Sequence, residues 1–225
     1  MTETVAQAAE LATIAPRMLD ESRWADVLPA HIGPARFQRW ALTLMQRPDL
    51  IEVTKTPMGQ LSITTALLDC ASLGLEPGRT FHLVVFGGRE KDGTPKPKTV
   101  TGITDYKGEV ELIWRAVQRP VIASLVYSKD DFAMTGANIP PRHDADWFDP
   151  EGRGEVVGGY AYVQLGDGIC SLVVRMTEAE FLHHKAKSLS REGRVWDEWP
   201  EPMRLKTLVH QLRKWVPWSA EVRQP

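Results

Sequence analysis

Cysteine is scarce in this 225-residue chain: Cys70 and Cys170 lie a hundred residues apart, with no second pair nearby. That leaves nothing from which to build a disulfide framework or a thiolate metal clip, and it suits a reduced, cytoplasmic protein. No basic n-region followed by an apolar run opens the sequence, and no apolar stretch is long enough to cross a bilayer, so neither a secretory signal nor membrane attachment is expected. No Gly-rich loop ends in Lys-Ser or Lys-Thr, which argues against ATP-driven work. Neither cysteine carries a histidine–carboxylate motif beside it, so nucleophilic catalysis has no support. Excess positive charge is missing too. The formal net charge is −2, an objection to polyanion binding that only an uneven charge distribution can answer.

The distribution is uneven. Residues 1–30 hold five acids against two arginines, whereas residues 175–215 hold nine Lys and Arg against six acids. A hydrophobic content of 43% is enough for a packed core. Period and punctuation give the elements. An Ala-rich acidic helix is expected within residues 1–30, and a helix over Phe37–Gln46 that stops at Arg47-Pro48. A third helix runs from Ile63 to Leu73, with Gly74 placed to end it. Strands follow at Thr80–Phe86 and Thr99–Ile103 around a charged loop, Gly87–Pro97, with an Asp92-Gly93 turn. After a helix opening at Tyr106, strands are expected at Val121–Tyr127 and around Phe132, then a loop over Pro140–Gly154. A hairpin is expected across Gly166-Asp167-Gly168. Thr177 and Glu180 form a capping box that opens a helix toward Leu189, and a last helix covers Glu201–Trp215. The fold class is α+β: antiparallel strands and hairpins bracketed by helices, with an N-terminal helical segment.

Three constellations carry chemistry. The helix after Thr104 places Tyr106, Val110, Ile113, Trp114 and Val117 on one face and Lys107, Glu111 and Arg115 on another. Glu111 and Arg115 also suit an ordinary i,i+4 surface pair. Gly108 costs on the order of 1 kcal/mol relative to alanine inside a helix, which points to a close backbone approach, and a lysine and glycine there could admit an anion to backbone amides. In the last helix Leu205, Leu208, Val209, Leu212 and Val216 make an apolar stripe, while Lys206, His210, Arg213 and Lys214 make a basic one that no acid interrupts. Between them Lys185, Lys187, Arg191 and Arg194 lead into Trp196 and Trp199. Amines that track phosphates beside aromatics that accept any base suit a single strand. Trp199 reads as core, and Trp196 fits either core or stacking.

Other charged sites read more simply. Arg89, Lys91, Lys96 and Lys98 fit a loop tip or a finger that grips DNA, with the loop tip favoured. Asp144, Asp146 and Asp149, with His143, could ligate a hard cation, but they lack a calcium loop's central glycine and closing glutamate and read first as a surface turn. His183 and His184 are adjacent, point to different helix faces, and cannot easily share a metal.

The order of parts resembles the RecT family of phage single-strand annealing proteins. The shared pattern runs from Ala71-Ser72-Leu73-Gly74-Leu75-Glu76-Pro77 through a strand ending in an aromatic to Tyr106-Lys107-Gly108. It resumes with the strand around Val156–Gln164, then Trp196-Asp197-Glu198-Trp199, Met203, Lys206-Thr207, Arg213-Lys214 and Pro217-Trp218-Ser219. Asp105, a charge just before the tyrosine, departs from the pattern. The resemblance spans about Ser62 to Ser219. It implies annealing without ATP or cofactor, related in activity to lambda Red beta, with no bond chemistry. It also implies single-stranded DNA and an annealed duplex intermediate as ligands, and a homo-oligomeric ring or helical filament. A phage exonuclease and a host single-strand-binding protein are candidate partners.

On this reading residues 1–50 are an oligomerisation segment, 51–219 the annealing core and 220–225 a short tail. The DNA-binding candidates are Tyr106, Lys107, Arg115, Lys185, Lys187, Trp196, Arg204, Lys206, Arg213 and Lys214. The alternatives are a metal-dependent nuclease using the Asp144/Asp146/Asp149 loop and a phage scaffold protein.

Overall fold

The computed structural model describes residues 19–87, 96–149, 151–187 and 194–217, with the side chain of Arg194 excepted. Residues 1–18 of the helix expected within residues 1–30, the hairpin cations Arg89 and Lys91, the Asp92-Gly93 turn, Arg191, and Trp218-Ser219 lie outside the described residues. Chain contacts divide into two compact units, residues 1–108 and 109–225. The expected annealing core therefore takes in part of each.

The first unit is mainly helical. A short 3-10 turn, Glu21–Arg23, precedes α1 (Pro34–Leu44), α2 (Pro48–Thr54) and α3 (Pro57–Ser72). Each α-helix starts on a proline, whose missing N–H costs nothing at that position. Pro48 thus both closes the helix expected over Phe37–Gln46 and opens α2, a helix that the sequence reading passed over. Thr56 caps α3 by accepting from the Gly59 N–H at 3.1 Å. At its other end Gly74 takes a left-handed φ of 60°. Leu75 N–H then reaches Cys70 O and Gly74 N–H reaches Ala71 O, which satisfies the last carbonyls of the helix. Strands β1 (Phe81–Phe86) and β2 (Thr99–Thr104) pair antiparallel, from Phe81 opposite Thr104 to Phe86 opposite Thr99. They pack on α3, and Ser62 Oγ accepts from Val100 N–H at 2.9 Å. Trp24 and Phe37 meet edge-on at 5.3 Å, both fully buried.

The second unit is built on one strand. From β2 the chain enters α4 (Tyr106–Val117), then β3 (Val121–Tyr127), β4 (Asp131–Ala133) and β5 (Arg142–Asp144). The strands β6 (Val156–Gly166), β7 (Ile169–Cys170) and β8 (Val174–Thr177) lead to α5 (Glu178–Ala186), α6 (Arg194–Glu198) and α7 (Pro200–Leu212). Strand β6 lies between β3 on one side and β7 and β8 on the other, all antiparallel. It is buried on both faces from Gly158 to Val163. Ala161 and Val163 face a core of Ile113, Phe181, Trp196, Leu208 and Leu212, while Tyr160 and Tyr162 stack at 6.0 Å on the opposite side. Strand β4 lies around Phe132 as expected, but its partner β5 falls within the expected Pro140–Gly154 loop, because three residues carry too little periodicity to be seen in sequence. The architecture is α+β, as the sequence implied. Among the described residues no helix is long and apolar enough to cross a membrane.

Gly108 is where the two units meet along the chain, and the first unit explains it. A Cβ there would lie 2.5 Å from the carbonyl oxygen of Thr80. That oxygen also accepts from Asp105 N–H at 2.9 Å, so the backbone closely approaching the glycine is the protein's own. Asp105 Oδ1 accepts from Tyr106 N–H at 2.7 Å. The carboxylate thereby occupies the start of α4, where an anion had been expected, and its unusual position becomes that of an anion at a helix N-terminus. Gly108→Ala is expected to destabilise the protein by roughly 1–3 kcal/mol in urea titrations, because the clash outweighs the helix propensity gained. A more stable variant would show that the close approach does not constrain this position.

Candidate nucleic-acid interface

Glu109 decides which side of α4 is buried. It is 2% exposed, and its Oε1 lies 2.9 Å from Arg213 Nη1 and 3.0 Å from His210 Nδ1, both on or just beyond α7. Its other oxygen is buried without a partner. A carboxylate can be buried only where such partners meet it. Since they do, the helix buries Glu109, Leu112, Ile113 and Ala116, and Trp114 turns outward to 50% exposure. The expected apolar face through Trp114 is therefore corrected by part of a turn. The uninterrupted basic stripe of the last helix is corrected as well. No acid interrupts it in sequence, but Glu109 arrives from another helix and engages His210 and Arg213.

Other candidates are similarly committed. Arg204 grips Glu178 with Nε at 2.8 Å and a second contact from Nη2, which raises the guanidinium's already high pKa. Lys185 pairs with Asp197, and Arg115 with Glu111. Trp196 is 6% exposed within the core of the second unit, so its ring has no face to offer a base. Trp199, assigned to the core from sequence, is 61% exposed. The two are exchanged because α6 turns Trp196 onto Phe181 and Leu208, while Trp199 caps the start of α7. Tyr106 is half-buried in the first unit.

Four candidates stay available. Lys107 in the first unit, and Lys187 and Lys206 in the second, are exposed and have no ion-pair partner among the described residues. Lys214 is exposed and donates only to Gln211 Oε1 at 2.7 Å. Lys187 and Lys214 both lie close enough to help depress the pKa of His184, so the ends of α5 and α7 converge. Trp215 lies beside them, 64% exposed. It falls past the last turn of α7, where helical spacing no longer assigns faces, and the sequence reading missed it for that reason.

The carboxylate loop takes another course. His143 Nε2 donates to Asp130 Oδ2 at 2.9 Å, and its Nδ1 lies 3.0 Å from the Tyr160 hydroxyl. Arg153 holds the same Asp130 through two bonds of 2.9 and 2.7 Å and stacks over the rings of Tyr127 and Trp147. Asp146 and Asp149 accept backbone N–H groups of Phe148 and Gly152 in their own turns. Among the described residues no group of three His, Cys, Asp or Glu side chains is arranged to hold a metal ion. Burial pushes both cysteine thiols up in pKa, Cys70 strongly, which leaves them poor nucleophiles.

A model of the RecT family matches residues 35–224, a span that includes every available lysine above. The chain belongs to the RecT family. It is also 30% identical over 210 residues to Protein RecT of Escherichia coli (strain K12), covering 89% of this chain and 72% of that protein. Family membership makes this a single-strand annealing recombination protein.

Two measurements check the charge framework of this RecT-family chain. The Arg153 and His143 contacts hold Asp130 well below the usual carboxylate range. Its stabilisation is therefore complete above the unfolded pKa near 3.9 and is lost as pH falls through the lower folded value. Acid unfolding followed by circular dichroism should show that loss below about pH 4, with a shallower acid limb in Asp130→Asn. Glu109→Gln should lower stability by roughly 1–3 kcal/mol in urea. An unchanged midpoint would mean that the buried carboxylate does not hold α4 to α7.

Proposed function

We propose that this protein anneals complementary single strands without ATP, assembling as a homo-oligomer on DNA. The observation that carries the reading is the set of exposed lysines without ion pairs among the described residues on and beside α5 and α7, together with the exposed rings of Trp199 and Trp215. Lysines neutralise phosphates, and exposed rings accept bases of any identity. Annealing needs no covalent step: the protein concentrates two polyanions, lowers their repulsion and leaves bases free to pair. It is not an enzyme on this reading, and it acts in the cytoplasm.

Lys107, Lys187, Lys206 and Lys214 are its phosphate contacts, with Tyr106 against a sugar or base. Arg115, Lys185, Arg204 and Arg213 act through the ion pairs that fix the helices. Residues 1–50 serve as the oligomerisation segment of a ring or filament, 51–219 as the annealing core and 220–225 as a tail. A phage exonuclease that supplies single strands and a host single-strand-binding protein that covers them are the natural partners of such an activity. The nuclease alternative is the weaker reading, because two of its three carboxylates, Asp146 and Asp149 of the Asp144/Asp146/Asp149 loop, accept backbone N–H groups of their own turns.

Two complementary fluorescent oligonucleotides, added in sequence without ATP, test the reading. Strong acceleration over naked DNA is expected in the wild type and loss of most of it in Lys107→Ala/Lys206→Ala. The salt dependence of strand binding should become shallower by about 0.7 for each lysine removed. Acceleration retained in the variant would preserve the function and discard these two contacts.

A further inference from the structure

An open groove of about 470 Å³ runs between β8, α5 and the end of α7, lined by Arg175, His183, His184, Gln211 and Trp215 among others. None of the candidates drawn from sequence lines it. Arg175 and the two histidines offer up to three cationic groups, and Trp215 presents a ring that is 64% exposed. Lys187, Lys214 and His210 add positive potential at the same place, and desolvation together with these neighbours holds the His184 pKa below its ordinary value. The one carboxylate in the lining, Glu180, is occupied: its Oε2 accepts from the Thr177 N–H at 2.7 Å and the Thr177 hydroxyl at 2.9 Å. An aromatic face beside a cluster of cations that outnumbers the single carboxylate Glu180 matches a nucleotide: stacking for the base and charge for the phosphate. The groove's size suits a ligand of that class.

We propose that this groove holds one nucleotide of a bound single strand, with its phosphate against Arg175, His183 and His184 and its base on Trp215. The proposal rests on the annealing reading and adds to it a site whose charge depends on pH. Because its pKa is held below the ordinary histidine value, His184 gains charge as pH falls, and the groove then becomes a stronger phosphate site. The other charged groups facing it are Arg175, Lys187, Lys214 and the carboxylate of Glu180. His210 is the remaining titratable neighbour, and the Glu109 contact sets its position.

Binding of a fluorescein-labelled oligothymidylate to the full chain, by anisotropy between pH 5.5 and 8, tests this. The pH limits are set by the about 6.5 pKa of an unperturbed histidine. Trp215→Ala should weaken binding roughly tenfold, the effect of one lost stack, while Trp215→Phe should stay within about twofold of the wild type. The wild type should bind more tightly as pH falls, and His183→Gln/His184→Gln should lose most of that gain. All three substituted side chains are exposed, and circular dichroism checks that each variant is folded. If the wild type binds no oligothymidylate, the annealing reading fails and the groove with it. If the wild type binds but both the Trp215→Ala and the histidine variants keep its affinity and pH profile, the groove alone is overturned. Equal losses in Trp215→Ala and Trp215→Phe would overturn the stacked base. Displacement of the probe by poly-glutamate as readily as by unlabelled oligothymidylate would assign the groove to an acidic peptide and overturn the proposal.

Discussion

Strand β6 is buried on both faces, and the second unit follows from that constraint. A strand buried on one face needs alternation, but one buried on both needs bulk where there is room and none where a neighbour crosses. At Gly159 an added Cβ would stand 2.8 Å from Leu208 and 2.9 Å from a carbonyl oxygen of β3. The glycine lets α7 lie directly on the sheet, and that contact sets the face α7 turns to solvent. On the opposite side Phe132 stacks on Tyr160, and His143 reaches the Tyr160 hydroxyl. The short hairpin β4–β5 is thus fastened to the same strand. Residues that look unrelated in sequence, a diglycine and an isolated histidine, are consequences of one buried strand.

With α7 fixed on the sheet, Glu109 sorts its cations. A buried carboxylate must be matched, and the nearest positive groups are His210 and Arg213. Their charge goes into holding two helices together. Lys206 and Lys214 have no such duty. Arg204 and Lys185 are drawn into pairs with Glu178 and Asp197 in the same way. The net charge of −2 therefore does not describe every part of the surface: residues 175–215 hold nine Lys and Arg against six acids, and several of these lysines stay out of ion pairs among the described residues.

The sequence made local features legible. The capping box at Thr177 and Glu180, the helix stop at Gly74 and the turn across Gly166–Gly168 formed as read, because each is determined by a few neighbouring residues. The registers of β1–β2 and β3–β6 follow from the alternation or burial of their own side chains. Errors came where a distant partner decided the outcome. Periodicity places Trp114 on the apolar face of α4, but it cannot know that Glu109 will be neutralised from α7 and buried in its place. Local composition favours Trp199 for the core and leaves Trp196 open, but the short helix α6 turns Trp196 onto Phe181. Gly108 was correctly read as a point of close approach, but the approaching group proved to be the Thr80 carbonyl. A single sequence shows that space is needed without showing what fills it.

The cations left over bear on how an annealing protein has to bind. If each subunit offers about four lysines, its salt dependence on a single strand is only about 3, a weak hold at physiological ionic strength. Weakness is useful here, because a strand must be released once it has paired. Avidity reconciles the two needs: subunits linked along one strand hold it firmly together, while each contact still exchanges quickly. A single subunit with a strongly basic surface would bind well but would resist giving up the duplex. On the proposed function, the modest charge of this chain and the ion pairs that occupy so many of its arginines call for an oligomer. The strand is then held by the number of subunits and not by the grip of any one of them.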